Sequence, residues 1–178
     1  MVDSMSGFRP ETARSSLRLV ASAARRRAVR AGDREVDTGH LLHSILEADP
    51  AALLAAAPAP AQAGRLMGYL AQRSIGFGRR WQSVSESSAE AADWDWPSGW
   101  SRTAARALER ARERARSRGV DEADGMDLLA ELASDPGSRA VEILRAAGID
   151  PVAVVSGCRL AELEPAAAED GTGGGLAG

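Results

Sequence analysis

Few side chains in this sequence are suited to chemistry, and they are quickly weighed. The two histidines, His40 and His43, lie three positions apart, which puts them on one side of a helix and near enough to share a metal ion. No third ligand accompanies them in sequence, so the expectation is no metal site, with His40 a polar residue fixing the start of its helix. The single cysteine, Cys158, has no histidine near it and falls close to the end of the last predicted helix. It reads as a buried or idle thiol rather than a nucleophile, and one cysteine forms no internal disulfide, which fits a reducing compartment. The chain contains neither a G-x-x-x-x-G-K-[ST] phosphate loop nor a G-x-S-x-G elbow. The expectation is therefore no catalytic residue, no metal and no cofactor.

Arginine is the other candidate. All 22 basic residues are arginine, and lysine and asparagine are absent, as a genome rich in G and C would encode. Arg25, Arg26, Arg27 and Arg30, or the run Arg110–Arg118, could line a phosphate backbone, which makes a helical nucleic-acid-binding protein the rival reading. A net charge of −3 and the interspersed Glu109 and Glu113 count against it, and solvated helix faces are the preferred account. The alanine-rich run Ala51–Ala61 is too short for a bilayer and holds two prolines. The opening MVDSMSGFRPE lacks a signal-peptide pattern. No membrane contact and a cytoplasmic location are expected.

The elements that would position these residues come in two copies. Shifted by 87 positions, Gly119 falls on Gly32, Ala111 on Ala24, Ala115 on Ala28, Asp124 on Asp37, and Leu128-Leu129 on Leu41-Leu42. A whole multi-helix unit is thus duplicated. The expected organisation is a flexible lead-in over 1–10, a first repeat over 11–74, a linker over 75–99, a second repeat over 100–163 and a disordered tail over 164–178. In the first repeat, apolar spacing predicts a helix from Glu11 to Ala31, closed by Gly32. A second helix follows, capped by Asp37 or Thr38, then one opening at Pro50 and one over Ala61–Arg73. In the second repeat Ser101 caps a helix over Arg102–Arg118, Asp124 caps the next, and Asp150-Pro151 starts the last. The linker holds Phe77, Trp81, Trp94 and Trp96, four of the seven aromatics. Either it folds back over the helices or it presents aromatics to a partner.

The duplicated order, with Thr38-Gly39-His40-Leu41-Leu42 and Ile143-Leu144-Arg145-Ala146-Ala147-Gly148-Ile149-Asp150, resembles the N-terminal domain of the bacterial Clp unfoldase ATPases, above all the ClpC and ClpA type. The resemblance covers about residues 13–157. It implies an all-α fold of two pseudo-twofold-related four-helix repeats. It also implies a non-catalytic, monomeric binding module without the ATPase parts, acting as adaptor, regulator or decoy beside a Clp chaperone-protease. Its partners would be Clp components, client proteins and peptides, or a cyclic-peptide small molecule. The implied ligand surface lies between the repeats, at Thr38, His40 and Trp100, with Trp94 and Trp96 of the linker at its edge. Where the family usually reads Gly-Thr-Glu-His-Leu-Leu, its glutamate is replaced by Gly39 in the first copy and Met126 in the second. Neither copy holds the carboxylate that a phosphoarginine site needs for the guanidinium.

Overall fold

The computed structural model describes residues 16–74, 86 and 99–167. Among them are eight helices: α1 (Leu17–Ala31), α2 (Thr38–Ala48), α3 (Pro50–Ala56), α4 (Pro60–Ser74), α5 (Arg102–Ser117), α6 (Gly125–Ser134), α7 (Arg139–Ala146) and α8 (Pro151–Ala167). Local chemistry sets their ends. Ser16 accepts from the N–H of Arg18, Asp37 from that of His40, and Ser101 from that of Ala104, each satisfying a donor that the first helical turn leaves open. The first helix of each repeat ends alike. Gly32 and Gly119 both sit at φ 73°, and the next residue closes back on the helix, Asp33 N–H to Ala28 at 2.9 Å and Val120 N–H to Ala115 at 3.0 Å. These are the same C-terminal motif, 87 positions apart.

The repeats interlock. α2 and α6 pack against each other at the centre and are buried along most of their length, with Leu41, Leu42, Ile45 and Leu46 from one and Leu128, Leu129 and Leu132 from the other. Each fully buried leucine contributes roughly 1.5–3 kcal/mol. α1 and α5 lay small alanines, Ala24, Ala28, Ala104 and Ala111, against this pair. The third helix of each repeat then packs on the fourth helix of the other, α3 on α8 and α7 on α4. Gly157 makes the first of these possible, since a Cβ there would meet the Ala55 carbonyl oxygen at 2.9 Å. Neither repeat buries its own faces alone.

α8 runs to Ala167, so its last turn lies in the span 164–178 read from sequence as a tail. Residues 11–15, expected to open the first helix, lie outside the described residues, as do Phe77, Trp81, Trp94 and Trp96 of the linker and the tail beyond 167. The segment before α5 is tied to the first repeat through an isolated parallel bridge between Val36 and Trp100, with Val36 N–H on Gly99 at 2.8 Å and Ser101 N–H on Val36 at 2.9 Å.

Candidate functional site

A buried polar cluster gathers where the N-terminus of α2 meets the N-terminus of α7. Asp37, 2 % exposed, caps α2 through His40 N–H at 3.0 Å, and His40 answers with its Nδ1, 3.1 Å from the Asp37 backbone N–H. This is a capping box with histidine in the place of the usual glutamate or glutamine. His40 Nε2 lies 2.9 Å from Asp33, so both ring nitrogens are engaged. Two guanidiniums converge on the outer oxygen of Asp37, Arg73 from α4 and Arg139 from α7, each at 2.5 Å. Burial alone would raise the Asp37 pKa, but the His40 hydrogen bond, the charges of Arg73 and His40, and the Arg139 hydrogen bond outweigh it and hold the carboxyl well below the usual range.

Beside this cluster sits an oxygen-binding cradle. Thr38 N–H, Thr38 Oγ1, Ser101 Oγ and the backbone N–H of Arg139 all point to one place. Two of the four donors are the leading amides of α2 and α7, where helix dipoles favour negative charge. The cradle is filled by the carboxylate of Glu86, 6 % exposed. One oxygen takes Thr38 N–H at 3.0 Å and Ser101 Oγ at 2.9 Å; the other takes Arg139 N–H at 2.7 Å and the Thr38 hydroxyl. Thr38 Oγ1 in turn accepts Ala140 N–H at 3.0 Å.

The pseudo-symmetric place is built differently. There α6 opens with Gly125, which has no hydroxyl, and α3 opens with Pro50, which has no N–H. Asp49, 4 % exposed, caps α3 through Ala51 and Ala52 N–H, and its other oxygen lies toward Gly125 without a hydrogen-bond partner among the described residues. The ion pairs shift as well. In the second repeat Asp127, fully buried at the position equivalent to His40, pairs with Arg118 and Arg114. The two repeats have diverged here, and among the described residues the donors are gathered at the α2–α7 junction.

A cleft next to His40 is lined by Arg27, Asp33, Gly39, His43 and Arg73. Arg27, expected on a solvated face, turns inward instead: it donates to Ser44 Oγ at 3.2 Å, approaches the His43 ring at 3.4 Å and pairs with Glu47. Burial, with Arg27, His40 and Arg73 adding positive charge, pushes His43 down to about 4. Arg25 stays exposed, with its guanidinium 5.5 Å from the ring centroid of Trp100.

Of the residues singled out from sequence, Thr38, His40 and Trp100 are thus brought to one junction, while Trp94 and Trp96 lie outside the described residues. Thr38 is wholly buried and His40 nearly so, whereas Trp100 is half-buried. Sequence reading missed Glu86, Arg73 and Arg139. Their contacts span 15 to 102 positions, and no local pattern marks them. Cys158 is fully buried, and burial pushes its thiol up to about 12. Among the described residues no group of three metal-binding side chains forms, and no helix is long and apolar enough to cross a membrane.

No protein family matches the chain, and no curated protein matches it. Among solved structures it is similar to the crystal structure of the Hsp104 N-terminal domain from Candida albicans, with a TM-score of 0.59 and 14% sequence identity over 80% of this chain and 86% of that one. At that identity the likeness is one of architecture, and the chain has the all-α, Clp N-domain-like fold.

Proposed function

We propose that this chain is a non-catalytic, protein- and peptide-binding module of the ClpC or ClpA N-domain type, acting as adaptor, regulator or decoy for a Clp chaperone-protease. The observation that carries the reading is the interlocked double repeat shared with an Hsp104 N-terminal domain, with a polar junction of helix N-termini between its halves. Thr38, His40 and Trp100 frame that junction, and Trp94 and Trp96 are proposed to extend its edge. Cyclic peptides and linear client segments are ligands of the same reading. The space of the family glutamate is occupied by Arg73 across Gly39, which argues that the ligands differ from phosphoarginine. Several arginines of the rival nucleic-acid reading are spent on internal contacts, Arg27 on α2, and Arg114 and Arg118 on Asp127 and Glu162.

The test is a cross-linked pull-down from lysate with the purified chain and with a Trp94→Ala/Trp96→Ala variant. Recovery of Clp ATPase subunits or their clients, reduced in the variant, is the expected result. Recovery of nucleic acid alone, released by salt, would leave the fold standing and overturn the function.

A further inference from the structure

Glu86 belongs to the stretch between the two repeats, yet its carboxylate is as deeply placed as a core residue. A glutamate is rarely buried so fully unless its charge is met. Among the described residues it is met by four donors, two on each oxygen, drawn from three places in the fold: Thr38 of α2, Ser101 before α5 and Arg139 of α7. All four stand on the two folded repeats. The cradle is therefore built by the folded helices, and Glu86 occupies it as a ligand would.

The pseudo-symmetric comparison points the same way. A site needed only to close a helix end can be served by a local side chain, as Asp49 serves α3. At the α2–α7 junction Ser138 already caps α7 through Val141 N–H, and Asp37 already caps α2. Glu86 adds to complete caps, on amides that point outward from the helices toward an acceptor from elsewhere.

We propose that this cradle is a recognition site for a carboxylate of an acidic peptide, and that Glu86 is its internal occupant, closing the site in the free chain. The inference rests on the binding-module reading and supplies it with a site: Thr38, inaccessible in this structure, becomes reachable when the Glu86 carboxylate leaves. Selectivity follows from geometry. The donors come in two pairs at the spacing of two carboxylate oxygens, and the Arg73 and Arg139 guanidiniums on neighbouring Asp37 favour an anion over a neutral amide.

The experiment uses the full chain, as wild type and as Glu86→Ala, with a fluorescent peptide of the chain's own residues 82–90, QSVSESSAE. A control peptide carries glutamine at the position of Glu86. Fluorescence anisotropy should show the glutamate peptide binding Glu86→Ala at least about ten-fold more tightly than wild type, because a tethered occupant competes at millimolar effective concentration. The glutamine peptide should bind at least about ten-fold more weakly, and Thr38→Val in the Glu86→Ala background should abolish binding. Equal affinity of both peptides, equal affinity for wild type and variant, or binding that survives Thr38→Val would overturn the proposal. If Glu86→Ala does not fold alone, recovery of its helical circular dichroism by the glutamate peptide and not by the glutamine peptide supports the proposal, and failure of both to restore it overturns it. Client capture by the wild-type chain is read separately in the pull-down, so either idea can fail without the other.

Discussion

The guanidinium of Arg73 lies across the backbone of Gly39. A Cβ at position 39 would stand 1.6 Å from Arg73 Nη1 and 2.8 Å from its Cζ, with Ile143 Cδ1 at 3.0 Å. The absence of a side chain on the first turn of α2 is what lets Arg73 reach Asp37 at 2.5 Å. The space that a side chain at position 39 would fill is given to a cation that serves the internal cluster.

Gly39→Ala should therefore show two opposed effects. Alanine in a helix is worth about 1 kcal/mol over glycine, while displacing Arg73 strips Asp37 of one of its partners. In the wild-type background the net change in urea unfolding should be near zero or destabilising. In an Arg73→Ala background the same substitution should stabilise by about 0.5–1 kcal/mol, the contact with Ile143 taking part of the gain. An identical effect in both backgrounds would show that Arg73 and position 39 do not compete.

Much of the fold was legible because it is written locally and twice. The alanines of α1 and α5, the closing glycines 32 and 119, and the paired leucines of α2 and α6 repeat at one offset, so each copy supports the other. His40 was legible as a helix-start residue and Cys158 as a buried thiol. The site was less so. Arg27 sits in a run of three arginines that looks like solvated surface, and only the tertiary position of Ser44, His43 and Glu47 turns it inward. Glu86 lies in a serine-rich stretch without periodicity, 48 positions from Thr38 and 53 from Arg139. Its partners are mostly backbone amides and hydroxyls, which leave no complementary charge to read.

His43 gives the fold an acid sensitivity of defined sign. Burial and the neighbouring positive charges lower its pKa from the ordinary histidine value to about 4 on folding, so the native state favours the neutral ring. The stability it contributes is full above about pH 6.5 and is lost as the pH falls toward 4. The loss should be on the order of 1–2 kcal/mol, after allowance for solvent at the cleft. His43→Gln should flatten this part of the profile when urea midpoints are compared between about pH 7 and pH 4.5. Asp37 does not confound the comparison, because its depressed pKa keeps it charged throughout that window. A slope unchanged by His43→Gln would refute the assignment.

Cys158 should be silent in the native state. Fully buried and with its thiol pushed up to about 12, it presents almost no thiolate at neutral pH. Its reaction with an aromatic disulfide reagent should follow global unfolding, rising with urea along the circular-dichroism transition. Rapid labelling of the folded chain would show that the α3–α8 contact opens locally.

Asp37 and Asp124 cap the second helix of their repeats at equivalent positions, and the same substitution should separate their roles. Asparagine is as good a cap as aspartate, so Asp124→Asn, at a half-buried site, should cost less than about 1 kcal/mol. Asp37→Asn keeps the cap geometry and removes the charge on which Arg73 and Arg139 converge. Removing one member of a buried ion cluster leaves its partners uncompensated and costs about 3–5 kcal/mol. In the second repeat that charge sits on Asp127, fully buried between Arg118 and Arg114, so Asp127→Asn, not Asp124→Asn, should match Asp37→Asn in urea unfolding. Equal costs for Asp37→Asn and Asp124→Asn would mean that the two caps, rather than the displaced ion clusters, carry the stability of this junction.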